Sequence, residues 1–307
     1  MHVVTVFGSI NLDLVSRVAH FPAPGETITG SSFATLPGGK GANQALAAAR
    51  AGASVRLFGA VGRDRFAAAA MELLGASGVA LDGVAEADAR TGCATILVDD
   101  RGENCIVVVA GANALVDPRA VPDTALTAAT VLLLQQEVPA AANSSLIARA
   151  NRAGARVILN AAPALPVSLD LLKTVDILVV NETEAVVLAK TLGWTATPRE
   201  FALRATTAAP GLAVVVTLGA AGAFWIASDI ALRATAPGVR VIDTTGAGDA
   251  FVGALAAALD NGAAPGVALR RGVAAGTLAC TVHGAQPALP NKAAIDVLLP
   301  SVTTDVE

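Results

Sequence analysis

Apolar residues along the chain fall in short runs of strand length, separated by alanine-rich stretches with helical spacing. VVTVF (3–7), SVRLFGAVG (54–62), VLLLQ (131–135), RVILN (156–160) and DILVV (176–180) predict strands. ANQALAAARAG (42–52) and FAAAAMELLGASG (66–78) predict helices, the first ending at Gly52. The strands are apolar almost throughout, so they predict a parallel sheet covered on both faces. In such sheets ligands bind beyond the carboxyl ends of the strands. The fold class expected is α/β: a doubly wound, mostly parallel central sheet flanked by helices.

Two regions break the alternation. TGCATILVDDRGENCIVVVAGAN (91–113) reads as two strands around the turn DDRGEN, and 14–39 has no helical period. Together they predict a small antiparallel sheet projecting from the main body. The expected division is an α/β body over 1–10, 38–89 and 113–307, with a β-sheet lid over 11–37 and 90–112. No internal repeat or low-complexity linker is seen, and the tail TTDVE is expected to fray.

Composition narrows the class. Of the 307 residues, 54% are hydrophobic and 15% charged, which fits a packed core and not a disordered chain. A net charge of −4 without a dense basic patch argues against nucleic acid as partner. Residues 205–228 carry no charge and are long enough to span a bilayer, but Pro210, Gly211, Gly219 and Gly222 interrupt them. VVVT and AFWIAS within this stretch read instead as buried strands joined by a glycine turn, so no membrane partner is expected. The N-terminus lacks a basic region followed by a long apolar run, so no secretory signal is expected. Cys93, Cys105 and Cys280 fit no metal or redox spacing and read as buried free thiols of a cytoplasmic protein.

Four stretches carry candidate chemistry. In DTTGAGDAF (243–251), Gly246, Ala247 and Gly248 open a helical pattern. A helix N-terminus offers unpaired N–H groups and a positive dipole end, and small residues let an anion approach them. Asp249 beside such a pocket is either a first-turn acid suited to the dipole or a base taking a proton from an attacking hydroxyl. LPGGKGANQA (36–45) is not a P-loop, since Gly41 follows Lys40 where Ser or Thr would hold magnesium. It leaves a glycine turn bringing Gly39, Lys40 and Asn43 into a helix, either for a ligand or as a plain strand-to-helix turn. In FGSINLDLV (7–15), Asn11 and Asp13 share one strand face among Ile10, Leu12 and Leu14. They face either sugar hydroxyls or their own loop. In VVNETEA (179–185), Asn181 at a strand-to-helix junction reads as a cap, while a carboxylate there also suits Mg²⁺ held through water. VTLGAAG (216–222) is a glycine turn after a strand, and Glu137 ends another strand. With only His2, His20 and His283, and no GxSxG, a hydrolase triad has little to build on.

GSINLD, FPAPGET, PGGKGANQA, TG–GEN–AGAN, NETEA, TLGAAG and DTTGAGDAF occur here in the order found in the ribokinase-like (PfkB) carbohydrate kinases, and the chain resembles that family over nearly its whole length. The resemblance implies an ATP-dependent kinase acting on the primary 5-hydroxyl of D-ribose, with another small sugar or a nucleoside as alternative and a non-catalytic sensor as the remote one. By position in the matched motifs it implies Asp249 as catalytic base and Gly246, Ala247 and Gly248 as anion hole. Asn11, Asp13, Gly39, Lys40, Asn43 and Glu137 would hold the sugar. Asn181 and Glu184 would organise phosphate and Mg²⁺, and Thr217, Gly219 and Gly222 would line ATP. Asp243 and Thr245, with backbone near Ala279, Val282 and Gly284, would bind K⁺. A homodimer packed through the lids is also implied. Val273, where relatives often carry Asn or His, and Ala288, where they often carry Ser, depart from the pattern.

Overall fold

A computed structural model of the chain describes residues 2–306. Its strands are β1 (Val3–Phe7), β2 (Asn11–Arg17), β3 (Ser32–Gly38), β4 (Val55–Gly62), β5 (Ala80–Ala87), β6 (Gly92–Val98), β7 (Asn104–Val109), β8 (Thr130–Gln135), β9 (Arg156–Asn160), β10 (Ile177–Asn181), β11 (Ala213–Thr217), β12 (Ala223–Ile226), β13 (Ala231–Thr235) and β14 (Thr303–Val306). A 10-stranded sheet runs β14-β13-β12-β11-β10-β9-β8-β1-β4-β5. Its pairs from β5 to β11 are parallel, and β12, β13 and β14 add on antiparallel.

Both faces of this sheet are buried, and the strand period shows how. Val4 and Val6 of β1, Leu133 of β8 and Val215 of β11 point into one core. Phe7, Leu132, Leu134, Val214 and Val216 point into the other. Alternate residues must face opposite sides of a pleated strand, so a strand apolar at every position needs cover on both. Helices Lys40–Arg50, Arg65–Ala76, Ala247–Asp260 and Pro265–Ala279 cover the first face, and Ala140–Ala153, Glu182–Thr191 and Pro198–Ala208 the second.

The smaller 4-stranded sheet has the order β3-β2-β6-β7. It is mixed, not antiparallel throughout: β2 pairs with β3, and β6 with β7, antiparallel, but β2 and β6 are parallel. Each excursion from the body returns on itself, and the two outgoing strands then lie side by side.

The structure departs from sequence expectation elsewhere. The tail does not fray: Thr303–Val306 pairs with β13 at the sheet edge, while Glu307 lies outside the described residues. The strands β5 and β13 were not foreseen, because polar residues interrupt them and mask a strand period. The cysteines are free, but none is buried; Cys105 is exposed on β7, and Cys93 and Cys280 are half-buried. The uncharged 205–228 stretch is the end of a helix followed by β11 and β12, and among the described residues no helix is long and apolar enough to cross a membrane.

Candidate active site

Helix Ala247–Asp260 starts without a side-chain cap. Its N-cap is Gly246, left-handed at φ 75°, a conformation that disfavours any side chain. Ala247 N–H donates to the Thr244 carbonyl at 3.2 Å and Ala250 N–H to the Gly246 carbonyl at 2.8 Å. Among the described residues the N–H groups of Gly246, Gly248 and Asp249 donate to no protein acceptor. They are aimed donors at the positive end of a four-turn helix, the condition for an anion site.

Asp249 is 5% exposed, inside the first turn of that helix. Its carboxylate receives Asn43 Nδ2 on Oδ2 and Gln44 Nε2 on Oδ1, both at 2.9 Å, and Lys40 Nζ stands 4.0 Å from Oδ1. All come from helix Lys40–Arg50. The helices approach this closely because Gly253 faces Ala47: a Cβ added at Gly253 would lie 2.5 Å from the Ala47 Cβ. The alanine-rich pattern of both helices is therefore what puts amide donors around the acid. Asp249 favours the Lys40 ammonium; although burial works against the charge, Asp249, Glu137 and Glu184 together hold the Lys40 pKa above its usual value.

Glu137 is half-buried just beyond the end of β8. It accepts the Lys40 N–H at 2.9 Å and the Ser9 hydroxyl, and Ser9 Oγ accepts the Gly41 N–H at 3.2 Å. It thus caps helix Lys40–Arg50, whose N-cap Gly39 has no side chain to offer and sits at φ 85°. Asn11 and Asp13 leave β2 on the same face, as the alternation predicted. Asn11 is 3% exposed, and its Oδ1 accepts Asn113 Nδ2 at 2.7 Å. Asp13 is half-buried, and its pKa is raised to about 7 by burial first, then by the neighbouring charges of Glu137 and Asp249. Asn43 Oδ1, buried, has no donor. The residues drawn from four separate segments thus meet around Asp249, with spare acceptors that suit hydroxyl donors.

Asn181 and Glu184 form a capping box on helix Glu182–Thr191: Asn181 Oδ1 accepts the Glu184 N–H, and Glu184 Oε2 accepts the Asn181 N–H, each at 2.8 Å. The structural role considered for Asn181 is therefore real. Glu184 nevertheless faces the cleft. Burial raises its pKa, the Asn181 N–H and Lys40 pull it down, and Asp249 pushes it up.

Two cavities meet at this point. One of about 350 Å³ is lined by Lys40, Asn160, Asn181, Glu184 and Asp249 among others. The second, about 360 Å³, is apolar, with Val239, Val241, Phe251 and Val273 in its walls, together with Gly222 and Cys280. They share Thr217, Gly219 and Gly248. A polar, charged chamber and an apolar one joined at a bare helix N-terminus suit a ligand with a polyanionic end and a flat apolar end.

Behind the helix start, Asp243 Oδ1 accepts the Thr245 N–H at 2.9 Å and the Thr245 hydroxyl at 2.7 Å, and Oδ2 accepts the Gly284 N–H at 2.8 Å. Burial alone would raise the Asp243 pKa; these bonds outweigh it and hold it low. They tie the 243–245 turn to the 282–284 turn. The Ala279 carbonyl accepts the Val282 N–H at 3.3 Å, whereas the carbonyls of Val282 and Gly284 receive no backbone donor among the described residues. His283 is 71% exposed, with its Nδ1 3.9 Å from Asp243 Oδ2.

Sequence reasoning passed over Gln44, Asn113, Ser9 and Asn160. Ser9, Gln44 and Asn113 lie inside quoted motifs, but amides and hydroxyls next to glycines read as turn residues. Asn113 and Asn160 reach the site only through tertiary packing.

The pattern that defines the pfkB family carbohydrate kinases matches residues 1–292. A ribokinase of Haemophilus influenzae is 35% identical over 295 residues, 94% of this chain and 95% of that protein. The crystal structure of a ribokinase from Thermotoga maritima superposes with a TM-score of 0.91 at 32% identity, covering 98% of this chain and 100% of the other. The structure of Arabidopsis thaliana ribokinase complexed with ribose and ATP gives 0.86 at 32% identity, covering 97% and 98%.

Proposed function

The chain belongs to the pfkB family of carbohydrate kinases, and on that premise we propose that it transfers the terminal phosphoryl group of ATP to the primary 5-hydroxyl of D-ribose, giving ribose 5-phosphate and ADP. The observation that carries this reading is the junction at Gly248, where orphan N–H groups and a buried carboxylate meet between a polar and an apolar cavity. The Arabidopsis relative holds both ribose and ATP.

In this reading the base and ribose of ATP lie in the apolar chamber, over Thr217, Gly219 and Gly222, and the phosphates extend over Gly248. Asp249 takes the proton from the sugar hydroxyl as its oxygen attacks the terminal phosphorus, and the bond to the ADP oxygen breaks. The N–H groups of Gly246, Gly248 and Asp249, already fixed in place, receive the charge on the transferring group without reorganising. Ala247 contributes less, since its N–H is in use. Lys40, Asn43, Asn11, Asp13, Gly39 and Glu137 orient the sugar. The small sheet acts as a lid and keeps water from competing as acceptor.

Magnesium and potassium fit the donor chemistry. Glu184 lines the polar cavity and keeps Oε1 free of the capping bond, as a hard cation held through water requires, with Asn181 fixing its orientation. Asp243, Thr245 and the backbone at Ala279, Val282 and Gly284 supply oxygens only, the set that suits K⁺. Bound Mg²⁺ would offset charge on the phosphate oxygens. A filled potassium loop would hold the 243–245 turn, and with it the donors that follow. Exchanging Na⁺ for K⁺ is expected to raise kcat about fivefold, a typical effector coupling; equal rates in matched salts would remove the ion from the account.

The small sheet also supports a homodimer. Its edge strand β7 is exposed along its length, with Val107 60% and Val108 53% exposed, and Phe33 is 65% exposed on β3. An open apolar edge strand invites cover, and a second lid provides it. Light scattering is expected to give twice the chain mass, and Val107→Lys to shift it toward the monomer; a wild-type monomer at micromolar concentration refutes this arrangement. The free, accessible thiols are in keeping with a cytoplasmic setting.

The function is tested by ADP release with ATP and Mg²⁺ over a panel of ribose, deoxyribose, fructose and nucleosides, with the product assigned by NMR. Ribose is expected to give the highest kcat/KM and a 5-phosphate. Sugar-independent ADP release, or a nucleoside as best acceptor, overturns it.

A further inference from the structure

A chain of buried amides ends on Asp249 and has no part in the reading above. Gln44 is wholly buried. Its Nε2 donates to Asp249 Oδ1 and to Asn160 Oδ1, each at 2.9 Å, and its Oε1 accepts Gln135 Nε2 at 2.8 Å. Gln135 and Asn160 are paired residues at the ends of β8 and β9. Asn160 Nδ2 donates to the Val179 carbonyl of β10 at 3.1 Å, and Asn143 Nδ2 holds the Gln135 carbonyl at 2.7 Å.

The chain has only one workable polarity. A carbonyl such as that of Val179 can only accept, so Asn160 must turn its amino group there and present Oδ1 to Gln44. An ionised carboxylate also only accepts. Gln44 therefore faces acceptors on Asn160 and Asp249 and must present Nε2 to both. Gln135 then donates to Gln44 Oε1, although its own Oε1 is left buried without a donor. Turning Gln44 over would set oxygen against oxygen at two places.

We propose that Gln44 is a positioning residue that sets the orientation of the Asp249 carboxylate toward the sugar hydroxyl. The terminal torsion of an aspartate is soft and broad, so one donor would leave it free to swing. Asn43 and Gln44 are consecutive, about 100° apart around their helix, and grip the two oxygens from different sides. Gln44 in turn is fixed through Gln135 and Asn160 to the strand ends of the central sheet. The base is thus registered to the frame that carries the rest of the site. The proposal rests on Asp249 being the base.

The test is Gln44→Met, which keeps the length but removes both amide groups, beside Gln135→Met, which leaves Gln44 in place but frees its Oε1 to turn. Readouts are kcat, KM for ribose and ATP, the kcat–pH profile and the melting temperature. Gln44→Met is expected to lower kcat about 30-fold, within the range that misplacing a reacting group costs. Each KM should stay within about threefold, since only transition-state alignment is lost. The kcat–pH profile should change as well, a readout that a merely structural loss would leave unmoved. Gln135→Met should do the same to a smaller degree. If Gln44→Met melts at room temperature, Gln135→Met decides, and an unchanged kcat and pH profile in it overturns the proposal. A folded Gln44→Met with an unmoved profile, or with a loss confined to KM, also overturns it. Absence of ribose-dependent turnover in the wild type would instead remove the function on which the proposal rests.

Discussion

Asp249→Asn is expected to lower kcat by about 10³-fold or more, the upper part of what a positioned general base contributes, while ATP binds as before. The substitution keeps the shape of a side chain that is 5% exposed in the helix start, so packing against Gly253 and Ala47 is undisturbed. It removes the lone pairs that could take a proton. It also puts an amino group where Asn43 and Gln44 both present donors at 2.9 Å. One of those bonds is lost and its buried donor left unpaired, at a cost of about 1–3 kcal/mol, below a folded domain's stability of roughly 5–15 kcal/mol. Lys40 loses its nearest counter-charge but keeps Glu137 and Glu184 nearby. The fold and the orphan N–H groups of the helix start, where the phosphates are proposed to lie, therefore persist. Single-turnover rates beside calorimetric titration with ATP check this, and near-normal turnover in the folded variant removes Asp249 from the chemistry.

How far the site could be read in advance depends on how local each contact is. Gly246 to Asp249 are consecutive, and the same residues that end a loop also start the helix, so donor and acid had to be neighbours wherever the chain went. The alternation in β2 likewise put Asn11 and Asp13 on one face. The apolar runs 3–7, 131–135 and 156–160 could only be strands buried on both sides, and they are. Gln44 was illegible for the opposite reason. On its own helix it is a polar residue between Asn43 and a run of apolar ones, and the role proposed for it exists only because Gly253 brings a helix some two hundred residues later against it. The strands β5 and β14 were hidden because edge strands need not be apolar. The cysteines were misplaced because a β-rich run such as NCIVVV (104–109) reads as core, whereas here it is an open edge.

The second large effect belongs to Asp13, and it is a pH effect on sugar affinity. Burial, then Glu137 and Asp249, push the Asp13 pKa to about 7. Lys40 is the cation across the cluster, near Asp249 and Glu137. Below pH 7 Asp13 therefore carries a proton, and one oxygen becomes a donor. Above it both oxygens accept, which is what a sugar with adjacent hydroxyls needs, since each hydroxyl can then donate to the carboxylate. Binding that requires the ionised form releases one proton at low pH, so KM for ribose should rise about tenfold for each unit below 7 and level off above it. Asp13→Asn should raise KM about 10²-fold at pH 8, the loss of charge-assisted bonds worth roughly 1.5–3 kcal/mol each, and its KM should no longer vary with pH. The kcat profile separates this from the base, because kcat at saturating ribose no longer senses the free site. A wild-type KM that stays flat from pH 5.5 to 8.5 would mean that ribose does not meet Asp13 as a carboxylate, and the sugar would have to be placed elsewhere around Asp249.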